Sequence, residues 1–453
     1  MESTSFLADF LTNHPEVEVF DLVLSDLNGM ARGKRVKRDA LRNIVKKGMH
    51  IPFSVLALDA SGETVEASEL GLEIGEPDRI CYPDLKTLVV CPWQNQPTAQ
   101  VLFSMYDDQK HPVMIEPRNQ VRQAVALFTE RGMTPVVAVE LEFYLVDKMR
   151  DESGGIQPPI SPKTGKREDS TQCHSMTNLD DFSGFLLDVD TYCQQQGVPA
   201  DTAVSEYAPG QFEINLRHGS DPLLACDHAM MLKRIIHQVA EEHGMQATFM
   251  AKPYDDRAGS GLHIHASLVD EQGNNLFAEG EAEDNKLLLH SVAGLLGTMQ
   301  ESTALLCPNI NSYRRLQPNL YVPMFVNWGI DNRTVAVRIP AGGPASRRIE
   351  HRVAGADANP YIAMTTVLYA MMEGIDRKLM PPKPQEGNTF EVDNPCLPMR
   401  LTDALTMLRG SKVFNQYFGE DFVKVYAACK EHELQKFEQT VTPKEYEFYL
   451  TTL

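Results

Sequence analysis

Four short runs in this 453-residue chain share one design: each has strand length, with apolar residues on one side and acid, histidine or arginine at alternate positions on the other. In PVVAVELEFYLV, Glu140 and Glu142 stand two apart in an otherwise apolar run, so both carboxylates project from one face of a strand. GQFEINLRH puts Glu213 on the side of Gln211, Asn215 and Arg217, with Phe212, Ile214 and Leu216 opposite. GSGLHIHASL pairs His263 with His265, and SRRIEHRVAG groups Arg348, Glu350 and Arg352 in front of Ile349 and Val353. A single stripe of this kind reads as a solvated sheet face. Four of them point to one functional face.

Carboxylates crowded on such a face repel one another: two unit charges about 5 Å apart at an effective dielectric of about 20 cost roughly 3 kcal/mol. Cations must offset that if the stripes converge. Carboxylates with at most one imidazole and no thiolate make oxygen-rich sites that suit Mg²⁺ or Mn²⁺ rather than zinc or copper. Arg314, Arg315, Arg333, Arg338, Arg347, Arg348 and Arg352 fall in one short region. Guanidinium groups beside such metals are what phosphoryl transfer needs, because the transferring group spreads its charge over several oxygens. No Walker loop or Rossmann glycine pattern is present, so ATP would be held by another architecture.

The rest of the chain sets the frame. Its length favours two domains, divided near residues 105–116, with 1–110 as a smaller first unit and 111–453 as a larger second one. Residues 17–37 alternate around Asn28-Gly29 and read as a β-hairpin. From Pro117 helices alternate with strands. Asn119 to Glu130 is amphipathic and closed by Gly132, and Asp221-Pro222 and Asn359-Pro360 each supply a cap and a first-turn proline. Residues 149–170, rich in Gly, Pro, Ser and charge, read as a mobile loop.

Neither a membrane span nor a secretory signal is visible, which points to the cytoplasm. The eight cysteines form no CxxC pair and read as core thiols. A formal charge of -20 argues against nucleic acid as a partner. It would suit a cationic substrate, although acidic surfaces serve mostly solubility.

The runs VELEF, SEYAPGQFEI, GSGLHIHASL, NSYRRLQP, DNRTVAVRIP and RRIEHRVAGADANPY appear in the order and spacing of type I glutamine synthetase, and the resemblance extends over nearly the whole chain. It implies an α+β protein, with an N-terminal β-grasp domain and a catalytic domain on a curved antiparallel sheet. It also implies a dodecamer of two stacked hexameric rings with active sites between neighbours. By matching positions, Glu142, Glu206 and Glu213 would hold one metal ion, and Glu140, His263 and Glu350 a second.

Carried over in the same way, Arg315 would bind the glutamate carboxylate, with Gly259 in the backbone segment that receives glutamate. Arg333 and Arg338 would hold phosphates, Arg352 the transferring phosphoryl group, and His265 and Arg348 the nucleotide side. The implied reaction passes the γ-phosphate of ATP to the γ-carboxylate of glutamate, after which an amine attacks the acyl phosphate.

Departures from the family pattern bear on the amine. Tyr321 stands where glutamine synthetases carry the glutamate that takes a proton from ammonium, and a phenol with a pKa near 10 replaces that carboxylate poorly. Ala258 replaces a usual asparagine, the adenylylation segment is not recognisable, and Asp59 in ALDASGETVE keeps the acid expected to reach a neighbour's amine site. These features resemble the γ-glutamylpolyamine synthetase branch, where an aromatic ring can lie against an alkyl chain or an ammonium group. A polyamine such as putrescine or spermidine is therefore the expected co-substrate. The alternatives are ammonium, a monoamine or ethanolamine, and a non-catalytic structural relative.

Overall fold

The computed structural model describes residues 2–171, 173–318, 321–392 and 396–453, with side chains in the first helix from Phe6 onward. Two sheets organise the chain. The first contains β1 (Val19–Ser25), β2 (Ala31–Lys37), β3 (Met49–Pro52), β4 (Asp78–Pro83), β5 (Val89–Val90) and β6 (Thr98–Tyr106), in the order β2-β1-β6-β4-β3 with β5 also on β6. β1 and β2 form the expected hairpin, in register from Val19 opposite Lys37 to Ser25 opposite Ala31. Its turn is closed by Asp26, whose carboxylate accepts from the Asn28 and Met30 N–H groups, while Gly29 takes φ +76°. A helix over Arg38–Lys47 follows, and β6 returns parallel to β1, which is the β-grasp arrangement.

The second sheet contains β7 (Thr134–Asp147), β8 (Ala200–Ser205), β9 (Gln211–Leu216), β10 (Met245–Thr248), β11 (Leu262–Val269), β12 (Trp328–Ile330), β13 (Val337–Ile339) and β14 (Ile349–His351). Their order is β12-β13-β14-β11-β7-β9-β8, with β10 also on β7, and the sheet is antiparallel except for the parallel pair β12–β13. β7 shows why it folds with one wet face. Val137, Val139, Leu141 and Phe143 are buried, whereas Val136, Ala138, Glu140 and Glu142 stay partly exposed.

Helices Pro117–Thr129 and Pro222–Glu242 pack against the strands, and Lys286–Leu306 lies along Pro360–Asp376 in the core. Glu116, Asp221 and Asn359 cap three of these helices, each followed by proline at the first helical position. The first therefore starts two residues before the Asn119 expected from the sequence. Buried Arg118 links helix Pro222–Glu242 to the turn after β4 by pairing with Asp227 at 2.7 Å and with Asp84 at 3.1 Å.

Residues 149–170 contain no helix or strand, but they are anchored. Arg167 pairs with Asp147 at 2.7 Å, Ile160 bridges Arg167, and Glu168 accepts the Gly210 N–H at 2.7 Å. Six of the eight cysteines are buried as expected, while Cys173 and Cys396 are exposed. Among the described residues, no helix is long and apolar enough to cross a membrane.

Candidate active site

Strand register brings the polar stripes into one row. Arg338 faces Glu350 across β13–β14, Glu350 faces His265 across β14–β11, and His263 faces Glu140 across β11–β7. On the far side of β7, Glu140 faces Asn215 and Glu142 faces Glu213 on β9. Directly opposed residues share a face, so the row runs unbroken over five strands. Glu206 joins it from the end of β8, where its N–H donates to the Gln211 carbonyl.

The contacts are those of a set of potential ligands. Glu140 reaches His263 Nδ1 at 3.2 Å and His265 Nε2 at 2.8 Å. His263 Nε2 lies 3.9 Å from Glu142, and its Nδ1 lies 4.0 Å from Glu350. Two groups bring donor atoms within 4.8 Å of one another: Glu140, Glu213 and His263, and Glu140, His265 and Glu350. The expected division of ligands placed Glu213 with Glu142 and Glu206 and assigned His265 to the nucleotide. In this structure His265 also sits among the carboxylates, and its Nδ1 accepts from Arg348 Nε at 3.1 Å.

Electrostatics separate the carboxylates. Burial pushes Glu213 up to about 9, helped by the charges of Glu142, Glu140 and Glu206. Glu206 is pushed up to about 7 by burial and then by Glu142, with Arg333 acting against the rise. Burial also works to raise Glu140 and Glu350. The two histidines nevertheless hold Glu140 well below the usual carboxylate range, and Arg352 with the same histidines holds Glu350 at about 2. The β9 end of the row is thus a place where negative charge lacks compensation. An oxygen-rich cluster that raises its own members' pKa values fits a divalent cation, which would remove that repulsion.

Arginines flank the opposite end. Arg338 bonds Glu350 at 2.9 Å and Asp331 at 2.7 Å, and Arg352 bonds Glu350 and, at 3.4 Å, the Tyr321 carbonyl. The Nε atoms of Arg338, Arg352 and Arg315 are buried without a protein partner. Arg333 is exposed. Arg315 lies beneath the 259–261 loop and donates to the Val353 carbonyl at 2.8 Å. Gly259 is required there, since a Cβ would stand 2.5 Å from the Ala251 carbonyl and 2.6 Å from Arg315 Cγ. Gly261 N–H donates to Glu142 at 2.8 Å, joining this loop to the carboxylates.

Several expectations land elsewhere. Asp59 is almost fully buried (1% exposed) away from this row. It pairs with Lys436 at 2.5 Å and accepts from the Ser61 and Glu63 N–H groups. Arg347 donates to the Phe277 and Gly280 carbonyls, and Arg217 leaves β9 to pair with Asp201. Tyr321 is 63% exposed at φ +53°, with only its carbonyl touching the row, while its neighbours Asn319 and Leu320 lie outside the described residues. The sequence reading missed Gly261 and Tyr144, whose hydroxyl donates to the Ala258 carbonyl at 2.6 Å. The glycine-rich run GSG was the available signal for the first.

Much of the row is buried, including Glu213, His263, His265, Glu350 and Arg352. A separate cavity of about 710 Å³ between Arg409 and Lys424 is remote from it, and its Arg409 and Lys424 already pair with Glu431 and Glu69.

Residues 114–449 match the glutamine synthetase catalytic domain. The chain is 45% identical to γ-glutamylputrescine synthetase PuuA of Escherichia coli, covering 97% of this chain and 93% of that protein. It is 33% identical to a glutamate–isopropylamine ligase of a Pseudomonas species (98% and 96% covered) and 31% identical to a γ-glutamylethanolamide synthetase of Streptomyces coelicolor (94% and 91%). A solved complex of GmaS with ADP superposes with a TM-score of 0.85 at 26% identity, over 98% of this chain and 99% of that one. The chain belongs to the glutamine synthetase family and is an enzyme of its ligase type.

Proposed function

We propose that this enzyme joins the γ-carboxylate of glutamate to an organic amine, a polyamine such as putrescine or spermidine, using ATP and passing through γ-glutamyl phosphate. The observation that carries this reading is the row from Arg338 to Glu213, which sets cation-seeking carboxylates beside guanidinium groups. The named relatives support an organic amine, since their own names specify putrescine, isopropylamine and ethanolamine.

Glu142, Glu206 and Glu213 would hold one Mg²⁺ or Mn²⁺ and Glu140, His263 and Glu350 another. Bound there, the ions would supply electrostatic stabilisation to the phosphates. Arg333 and Arg338 would hold ATP phosphates, with Arg348 and His265 on the nucleotide side. Arg352, near the Tyr321 carbonyl, would steady the transferring phosphoryl group. Arg315 and Gly259 would receive glutamate. The exposed ring of Tyr321 is offered to the amine's alkyl chain or ammonium group.

Units 1–110 and 111–453, a cytoplasmic location and a dodecamer with sites between neighbours belong to the same reading. The segregation of the two sheets supports the division. Asp59, held within its own chain by Lys436, would act in a neighbour's amine site.

The test is glutamate-dependent phosphate release from ATP with Mg²⁺, comparing putrescine, spermidine, ethanolamine, isopropylamine and ammonium at equal concentration. A strong response to one organic amine with little to ammonium is expected. A dominant ammonium response would make the enzyme a glutamine synthetase, and no response to any amine would sink the ligation itself.

A further inference from the structure

A six-residue helix cannot hold itself in place, because ordering its first turn costs more than its few hydrogen bonds return. Ile310–Arg315 is such a helix, and it ends on the arginine expected to hold glutamate. Its position must therefore come from partners outside it.

The principal partner is Asp357, in the loop after β14. Its Oδ2 accepts from Asn309 Nδ2 at 2.8 Å and from Ser312 Oγ at 2.7 Å. Those two residues are the halves of the capping box that starts the helix, so one carboxylate oxygen holds both. At the other end, Arg315 donates to the Val353 carbonyl at 2.8 Å. Helix start and helix end are thus fastened to the same stretch, 353–357. That stretch also braces the glycine loop: the Leu262 N–H donates to the Ala354 carbonyl at 2.9 Å, and the Ala356 N–H to the Ser260 carbonyl at 3.0 Å. Gly355 leaves room for the carboxylate, since a Cβ there would collide with Asp357 Oδ1. Mid-helix, Asn311 exchanges two hydrogen bonds with the Lys252 backbone. Loss of the Asp357 clamp would then shift the helix rather than unfold it.

The charge has a reason of its own, because a neutral amide oxygen could accept the same two hydrogen bonds. Lys233, on helix Pro222–Glu242, donates to the Ala356 and Ala358 carbonyls at 2.6 and 3.2 Å. Burial pulls Lys233 down to about 8, and the charge of Asp357 opposes that fall. Burial likewise pushes Asp357 up, against Ser312, Asn309 and the charges of Lys233 and Arg315. The anion therefore serves two cations, one behind the loop and one at the site.

We infer that Asp357 is a positioning residue for the acid substrate: it orients Arg315 by clamping the start of helix Ile310–Arg315 to the 353–357 loop. This inference rests on the proposed glutamate ligation, with Arg315 as the residue that binds glutamate. Asp357 itself acts on the reaction only through Arg315.

The experiment measures steady-state phosphate release by the parent enzyme, Asp357→Ala, Asp357→Asn, Ser312→Ala and Arg315→Ala, varying glutamate, ATP and amine in turn. Asp357→Ala is expected to raise KM for glutamate about 10- to 100-fold and to leave the KM values for ATP and amine within about twofold. Asp357→Asn keeps an oxygen for Asn309 and Ser312 and should return KM to within about threefold of the parent. Ser312→Ala should raise KM for glutamate about three- to tenfold in the parent and no further in Asp357→Ala, because both changes open the same clamp.

An unchanged KM for glutamate in Ser312→Ala, equal rises for all three substrates, or effects that add in the double variant would overturn the assignment. Ser312→Ala removes a single hydroxyl, so it decides the matter even where Asp357→Ala does not fold. If the parent shows no glutamate-dependent release with any amine, or Arg315→Ala leaves KM for glutamate unmoved, the underlying reading fails. If Arg315→Ala raises it while the Asp357 and Ser312 variants keep the parent value, the inference alone fails.

Discussion

Glu142 meets the Gly261 N–H at 2.8 Å, His263 at 3.9 Å and, across the ladder, Glu213. Its charge also helps raise Glu213 and Glu206. Glu142→Ala is expected to cut phosphate release at least about 1000-fold, while the melting temperature of metal-free protein stays level or rises, because one member of a repelling set is gone. Near-parent turnover would remove Glu142 from the metal site.

The same carboxylates give a pH signature. A folded-state pKa raised to about 7 for Glu206 and about 9 for Glu213 means that their contribution is fully present below the unfolded value of 4.5 and is lost as pH rises through 7 and 9. Glu140 and Glu350, both lowered, contribute fully throughout that window and fail only in acid. With chelator, the melting temperature should therefore fall between pH 6 and pH 9, and Mg²⁺ should flatten the slope; parallel slopes with and without metal would contradict the cluster. At Tyr321, exchange for glutamate should raise ammonium use relative to putrescine by about tenfold, the scale of one well-placed charge. An unmoved ratio in competition assays would place amine choice elsewhere.

At the scale of elements, the 259–261 loop lies against Arg315 and bonds Glu142, and its glycines leave no spare room. Gly259→Ala would put a Cβ 2.5 Å from a backbone carbonyl, so the loop or Arg315 must shift. KM for glutamate should rise with ATP binding unchanged, at a folding cost of about 1–3 kcal/mol. Chemical denaturation beside steady-state kinetics would separate the two effects, and an unaltered KM would argue that glutamate does not reach this loop.

Elements were also what the sequence displayed best. The hairpin around Gly29, the proline-started helices and all four polar stripes could be read directly, because period-two alternation and capping residues are local signals. Which stripes are neighbours could not. Alternation fixes the face of β7, but the pairing of His265 with Glu350 comes from strands more than 80 residues apart, and that non-local register drew His265 into the carboxylates. Chain distance likewise hid the anchoring of residues 149–170, where Glu168 meets Gly210, and the partner of Asp59, which comes from the helix Glu420–Glu438.

For the whole molecule, Asp59 poses the question of assembly. Its carboxylate holds its own turn through Ser61 and Glu63 and meets Lys436, and among the described residues none of its hydrogen bonds or ion pairs reaches the second sheet. A role in chemistry thus requires a neighbour's site, reached across an interface between two copies of the chain. Asp59→Asn and Glu142→Ala would then damage different subunits' contributions to one site. Mixed by unfolding and reassembly in equal amounts, the two inactive variants should recover about a quarter of the parent activity, since about one site in four would combine an intact Asp59 with an intact Glu142. Recovery at that level, read as phosphate release with the preferred amine, would make the amine site a shared structure. No recovery, together with a lowered melting temperature in Asp59→Asn, would reduce Asp59 to the clasp between its turn and the helix Glu420–Glu438, and the amine would then be recognised within one chain, at Tyr321.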